Sequence, residues 1–260
     1  MRIATWNING VRARLEGAVA WLRDVSPDIL CFQEIKSEDA SFPREAFGDL
    51  GYNIETHGQK GFNGVAILSK LPFDEVSRGL AGDGDDVQAR FIEGVFSVKG
   101  GAIRVVSLYL PNGNPVDSEK FPYKLGWMKR LEAYAGERLA SEEMFVLAGD
   151  YNIIPEPEDA RNPNFWTNDA LYQPESRAVF RRLVNLGLTD AFRACHAEPG
   201  HYTFWDYQAG AWQKNNGIRI DHLLLSPPAA DRLLRATIDK RTRAFDKPSD
   251  HVPVIIELDI

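Results

Sequence analysis

Seven short apolar runs punctuate the chain: RIATW, DILCFQ, GVAILS, IRVVSLYL, MFVLAG, DHLLLS and VPVIIEL. They are rich in β-branched residues and nearly continuous rather than alternating, the pattern of strands buried on both faces. Between the first two, Val11, Leu15, Val19 and Leu22 recur at helical spacing, and Ser26-Pro27 stops that helix. Val179, Leu183 and Leu186 mark a second helix closed by Gly187, and a third spans Ser118–Leu139. No repeat, low-complexity tract or linker divides the chain. The long polar segment from Pro155 to Pro174 reads as a functional surface loop rather than a boundary. The pattern predicts one α/β domain over residues 1–260 with at least seven strands.

Polar residues gather where these runs end. The first ends on Asn7 and Asn9, and the second on Gln33, Glu34 and Lys36. SLYLPNG ends with Tyr109 and Asn112, and FVLAGDYN with Asp150 and Asn152. Asp221-His222 opens DHLLLS, and Asp250-His251 precedes the last run. Any one of these is compatible with a cap or turn. Together they fit a site at the strand mouths, where open α/β sheets place their ligands.

Composition narrows the class. At 44% hydrophobic and 26% charged, the chain is that of an ordinary globular domain. No apolar run approaches a membrane span, and MRIATWNING lacks the apolar stretch of a signal peptide. Two cysteines are too few for a disulfide framework, and Cys31 lies in an apolar run as a buried thiol does. The expected compartment is the cytoplasm, nucleoid-associated in a bacterium. The formal charge of −7 argues against a protein that merely coats nucleic acid, although His201–Asp250 holds eight Lys/Arg against six Asp/Glu. No zinc, P-loop, dinucleotide or serine-hydrolase motif occurs. Carboxylates with amides and imidazoles suit a hard cation such as Mg²⁺ or Mn²⁺, and hence metal-assisted hydrolysis of phosphate esters.

In order and spacing, TWNINGVR, CFQEIK, GVAILSK, LYLPNG, LAGDYN, YTFWDY, GIRIDHLLLS and SDHVPV resemble the exonuclease III family of abasic-site endonucleases. That family lies within the endonuclease/exonuclease/phosphatase superfamily, and the resemblance runs from Arg2 to Leu258. It implies a four-layer α/β sandwich, two packed mixed β-sheets flanked by helices. It also implies a Mg²⁺-dependent DNA repair nuclease, with Mn²⁺ as a substitute. Such an enzyme cuts 5′ to abasic sites in double-stranded DNA and processes blocked 3′ ends as a 3′→5′ exonuclease and 3′-phosphatase. A monomer that contacts no membrane is expected. Tyr151 stands where phenylalanine is usual, and the hairpin DYQAGAWQKNNG is idiosyncratic.

Carried over by position, Glu34 resembles the principal metal ligand, with Asn7 and Asp250 beside it, and Asp150, Asn152 and His251 form a possible second metal site. Asp150 resembles the general base, its proton affinity raised by burial at a strand mouth. Asn152 resembles a donor to the transition state, and Tyr109 a phosphate contact or leaving-group aid. His251 resembles the phosphate donor, with Asp221 fixing its tautomer. Adjacent residues on extended chain face opposite ways, so Asp250 and His251 are expected to do different jobs. Asn112, Phe204, Ile218 and Ile220 correspond to substrate-binding positions, the last three to a lesion pocket.

Plainer readings accompany these. Trp6, Trp21 and Trp127 read as core and His222 as structural, while Lys36 is open between solvent and site. His57, His196 and His201 lack a carboxylate-rich context and read as surface residues. Two other functions remain compatible with the chain: a phosphatase or phosphodiesterase on non-DNA substrates, and a binding module of the same fold without catalysis. The presence of Glu34, Asp150, Asp250 and His251 weighs against the second.

Overall fold

The protein is described by a computed structural model covering residues 1–260. Its strands in chain order are β1 (Arg2–Asn7), β2 (Ile29–Gln33), β3 (Asn53–His57), β4 (Val65–Ser69), β5 (Glu75–Arg78), β6 (Phe91–Val98), β7 (Gly101–Tyr109), β8 (Phe145–Asp150), β9 (Thr189–Asp190), β10 (Asp221–Leu225), β11 (Leu233–Ile238) and β12 (Val254–Leu258). The helices are α1 (Leu15–Val25), α2 (Arg44–Gly48), α3 (Lys120–Ala140), α4 (Pro174–Asn185), α5 (Ala191–Cys195) and α6 (Pro227–Ala230). Two six-stranded mixed sheets form, ordered β11-β12-β1-β2-β4-β3 and β5-β6-β7-β8-β10-β9.

The alternation of side chains along each strand builds the layers. Ile3, Ile29, Cys31, Val65 and Ile67 of the first sheet meet Ile103, Val105, Val146, Ala148, Leu223 and Leu225 of the second in one core. Their strand neighbours point outward. Ala4, Trp6, Leu30 and Phe32 pack beneath α1 through Trp21 and Leu22. Val106, Leu108, Phe145 and Leu147 pack beneath α3 and α4 through Trp127, Leu131, Phe180 and Leu183. The sheet strands are therefore covered on both faces, which is why they read as unbroken apolar runs. The result is the expected four-layer α/β sandwich.

All seven expected strands are present, and five more were not flagged. β3, β5 and β11 are edge strands with half-exposed, mixed side chains, β9 is two residues long, and Glu93-Gly94 interrupts β6. Edge and interrupted strands carry no continuous apolar signal. Two helix details differ from expectation. Val11 lies ahead of α1, whose buried face is Ala18, Trp21, Leu22 and Val25. Leu186 is 43% exposed just past the end of α4, and Phe180 takes its place on the buried face. The Pro155–Pro174 segment is a surface connection containing two short 3₁₀ turns.

One glycine is sterically obligatory. A Cβ on Gly149 would sit 1.9 Å from the Leu108 carbonyl oxygen across the β7–β8 pairing. Only glycine lets β8 run that close to β7 and deliver Asp150 at its end. Gly149→Ala is expected to lower unfolding free energy by roughly 3 kcal/mol, at the upper end of the usual overpacking cost. Denaturant unfolding checks it, and an unchanged midpoint would contradict this packing.

Candidate active site

The parity that builds the inner core also selects the site residues. Asn7 continues the inward set of Ile3 and Thr5, and Gln33 that of Ile29 and Cys31. Tyr109 continues Ile103 and Val105, Asp150 continues Val146 and Ala148, and Asp221 precedes Leu223 and Leu225. At one end of the sandwich, the apolar layer between the sheets thus becomes polar. Strand register sets Tyr109 and Asp221 on either side of Asp150, and Asn7 beside Gln33. His222 has the opposite parity. It is buried away from the site between Arg219 (3.0 Å) and the Ile153 carbonyl (3.2 Å), a structural histidine. Burial and the Arg219 charge push its pKa down to about 4.

Asn7 ties the two sheets together. Its Nδ2 donates to Glu34 Oε1 and to Asp150 Oδ2, both at 2.9 Å. Lys36 Nζ lies 3.0 Å from Glu34 and donates to Asn9 Oδ1 at 2.6 Å, so Lys36 is part of the site rather than a free surface lysine. Asn9 in turn donates to Asp250 Oδ1 at 2.9 Å. His251 Nδ1 meets Asp221 Oδ2 at 2.8 Å, and its Nε2 stands 3.7 Å from Asp150 Oδ2. Oδ1 of Asp221 is buried without a protein partner. Asn152 donates its backbone N–H to Asp150 Oδ1 at 2.9 Å and its side-chain amide to the Leu110 carbonyl at 2.8 Å. Its Oδ1 accepts from Asn112 at 3.2 Å.

Donor atoms of Glu34, Asp150 and His251 lie within 4.8 Å of one another. Asp250 stands outside that triplet and joins it through Asn9 and Lys36. Phe204 packs its ring against His251 at a centroid distance of 5.0 Å and keeps some surface. Ile218 and Ile220 are buried beneath it with Ile154, Ala160 and Leu171. With almost no surface of their own, they back the Phe204 ring from below.

The electrostatics follow from the crowding. Burial, with the Asp221 charge alongside, pushes the Asp150 carboxyl up to about 7 against the pull of His251 and the Asn7 and Asn152 hydrogen bonds. Burial opposes a charged His251, yet Asp221 and Asp150 outweigh it and push the imidazolium pKa up to about 10. Burial alone would raise Glu34, but the Asn7 hydrogen bond and the Lys36 charge hold it below the usual carboxylate value. Tyr109, buried beside Glu34 and Asp150, is held well above the ordinary phenol value and stays protonated. Arg90 lies over its ring at 4.8 Å.

Several supports were not legible beforehand. Trp6, a core residue as expected, also donates its indole N–H to the His251 carbonyl at 3.2 Å. Ser249 Oγ donates to the Asn7 carbonyl at 2.7 Å and accepts from the His251 N–H at 3.2 Å, which sets the DH pair against β1. Thr203 Oγ1 accepts from the backbone of Ile220 and Asp221. Lys124 is fully buried and donates to the carbonyls of Asn152 (2.6 Å) and Asn112 (3.0 Å). Burial pushes its pKa down to about 7. One signal could have found it: Phe121, Lys124, Met128 and Leu131 share the apolar face of α3, and a lysine on such a stripe needs a partner. His196 and His201 are partly exposed, as expected of surface residues, but each has one carboxylate nearby, Glu198 at 3.8 and 3.5 Å.

The chain matches the model of the Endonuclease/Exonuclease/phosphatase family over residues 4–251. Exodeoxyribonuclease III of Haemophilus influenzae is 35% identical over 265 residues, covering 99% of each protein. An AP endonuclease from Archaeoglobus fulgidus superposes with a TM-score of 0.94 at 37% identity over all of both chains. The 3′ phosphatase NExo from Neisseria, bound to a product DNA hairpin, superposes at 0.95 with 38% identity, again over all of both chains. With a family match over residues 4–251 and a full-length relative at 35% identity, this chain is a member of the endonuclease/exonuclease/phosphatase family.

Proposed function

We propose that the protein is a Mg²⁺-dependent DNA repair nuclease that hydrolyses the phosphodiester 5′ to abasic sites in duplex DNA and acts on 3′ ends as an exonuclease and phosphatase. It would work as a monomer, with residues 1–260 as one domain and Mn²⁺ as a substitute ion. The observation that carries this reading is the line Asp221–His251–Asp150, set beside Glu34 at the mouth of both sheets. The activities named for its relatives, exodeoxyribonuclease III, AP endonuclease and 3′ phosphatase, support it. Two grooves beside the site suit a phosphate backbone despite the net charge. One is lined by Arg12, Arg14 and Lys247, the other by Arg90 and Lys120.

The residues fit a hard divalent ion. Two carboxylates and an imidazole converge within 4.8 Å, and crowding already raises Asp150 as an unneutralised buried charge would be raised. Glu34 would hold the ion, with Asn7 and Asp250 at its side; Asp150, Asn152 and His251 would frame a second position. A bound Mg²⁺ supplies charge neutralisation at the phosphoryl and leaving 3′ oxygens.

The chain's own groups supply the rest. Asp150, fixed by Asn7 and by the Asn152 N–H, takes the proton of the attacking water, and its raised pKa suits a base at neutral pH. His251 gives Nδ1–H to Asp221 and turns Nε2–H toward a phosphate oxygen. Asn152 keeps one amide hydrogen free of the Leu110 carbonyl for the transition state, while Asn112 braces its oxygen. Tyr109, held protonated, donates toward the phosphate or the leaving oxygen. Phe204, resting on Ile218 and Ile220, closes the side where a baseless sugar would turn out of the helix.

Matched duplexes carrying an abasic site, a recessed 3′ end or a 3′ phosphate test the reading. All three are expected to be processed with Mg²⁺ and none in EDTA. Glu34→Gln should cost about 3 kcal/mol of barrier, roughly a hundredfold in rate. Full activity in EDTA would end this proposal.

The pH profile should be bell-shaped. Activity rises as Asp150 ionises, at or below about 7 with the ion bound, and falls as His251 loses its proton toward about 10. Asp221→Asn removes the charge that most favours the imidazolium, so the alkaline limb should move to lower pH. A limb that stays in place would rule out the Asp221–His251 pairing as a catalytic device.

Phe204→Ala should slow cleavage at abasic sites on the order of tenfold, as loss of pocket contacts does, while sparing removal of a 3′ phosphate. Both rates are read in one preparation. Equal losses would mean that the ring only braces His251.

A further inference from the structure

Away from the active site, the segment after α5 reads HAEPGH, and Gly200 (φ +91°) lets a Pro-Gly turn fold its end back on its start. His196, Glu198 and His201 come together there. Glu198 Oε1 lies 3.8 Å from His196 Nδ1 and 3.5 Å from His201 Nε2, and the three donor atoms lie within 4.8 Å of one another. The rings are held from behind. Phe192 stacks on His196 at 4.5 Å and 28° and meets His201 edge-on at 5.1 Å. Arg193, which also pairs with Asp159, donates to the carbonyls of His196 (3.3 Å) and Glu198 (2.8 Å) and fixes the loop backbone.

The tautomer of His196 decides what the cluster can bind. Its Nε2 lies 2.8 Å from the Ala236 carbonyl of β11, which can only accept, so that nitrogen carries the hydrogen. In the neutral ring Nδ1 is then a bare lone pair facing a carboxylate oxygen. Two acceptors turned toward each other need a proton or a cation between them. An imidazole whose far N–H is committed to a backbone carbonyl is also the usual arrangement of a metal-bound histidine. Ligands about 2.1 Å from a tetrahedral ion stand about 3.4 Å apart, close to the spacings here, and the exposed Glu198 can make the adjustment.

We propose that His196, Glu198 and His201 form a second metal site, separate from the catalytic cluster, which takes Zn²⁺ through two imidazoles and one carboxylate with the remaining position open to water. Two nitrogen donors select a borderline ion over Mg²⁺, which prefers oxygen. The role is structural. His201 is two residues from Thr203, which holds the backbone of Asp221, and three from Phe204, which packs on His251. An ion here would pin the segment that shoulders the catalytic pair.

The test is calorimetric titration of metal-stripped protein with Zn²⁺ in excess Mg²⁺, which keeps the catalytic cluster occupied, together with thermal unfolding. One Zn²⁺ per chain should bind and raise Tm. Glu198→Gln and His201→Gln should each weaken binding at least about tenfold and abolish the Tm rise, while Mg²⁺-supported activity persists. Cys195→Ser should bind Zn²⁺ as the unaltered protein does, although that exposed thiol adjoins His196. Absence of binding, binding indifferent to both variants, or binding lost with Cys195→Ser would each overturn the site.

Discussion

Glu34, Asp150 and Asp221 are forced together in the layer between two sheets, with His251 and Lys36 as the nearby cations. Carboxylates removed from water and set against one another cost free energy unless opposite charge or hydrogen bonds compensate. The end of the sandwich is organised around that cost. Asn7 donates to two of the carboxylates, Asn152 to Asp150, and the imidazolium stands between Asp150 and Asp221. The compensation is incomplete. One oxygen of Asp221 has no partner and Asp150 keeps a raised proton affinity, so the site is poised to accept both a proton and a cation.

Four of the ten non-glycine residues with positive φ stand at this end of the sandwich. Asn9, Glu34, Lys36 and Asn152 all adopt left-handed conformations, with φ between +47° and +51°. For residues other than glycine this costs on the order of 1 kcal/mol each. Each stands just beyond a strand, where the chain must turn out of the sheet while its side chain stays at the mouth. The surrounding core meets the cost. Trp6, under α1, anchors the His251 carbonyl, and Lys124, on α3, anchors the carbonyls behind Asn152 and Asn112. Trp6 from β1 and Lys124 from α3 therefore hold the site from the outer sides of the two sheets.

A second set of charges lies beneath the site. Arg219 is fully buried between Asp159 (2.7 Å) and Asp190 (2.8 Å) and touches His222. Asp190 also caps α5 by accepting from Phe192 and Arg193. This network ties the Pro155–Pro174 surface segment, α5 and β10 into one unit. A buried pair of this kind is costly to break from one side, because the remaining charge is left uncompensated. Its position explains why GIRIDH has alternating roles: Ile218 and Ile220 in a small core, Arg219 and His222 in the ionic network, Asp221 at the strand mouth against His251.

Much of this was legible in the residue order. Strands covered on both faces leave unbroken apolar runs, so seven of them, an α/β domain and the strand-mouth location of the polar residues could be read directly, whereas the four-layer sandwich followed from the family resemblance. The polar residues at the ends of those runs marked where a site would lie, and the family resemblance singled out the individual residues among them. Edge strands were not legible, because one open side lets their side chains be mixed. Leu186 and Val11 misled for a related reason, since helical spacing does not say where a helix stops. What only the tertiary structure decided are relations across the two sheets: which nitrogen of His251 meets which carboxylate, that Lys36 belongs to the site and that Lys124 is buried behind it. The same holds for Ile218 and Ile220, which lie beneath the surface, and for Glu198, which stands between two histidines. These depend on register and on the close approach of segments far apart in the chain, and no local pattern of residues records either.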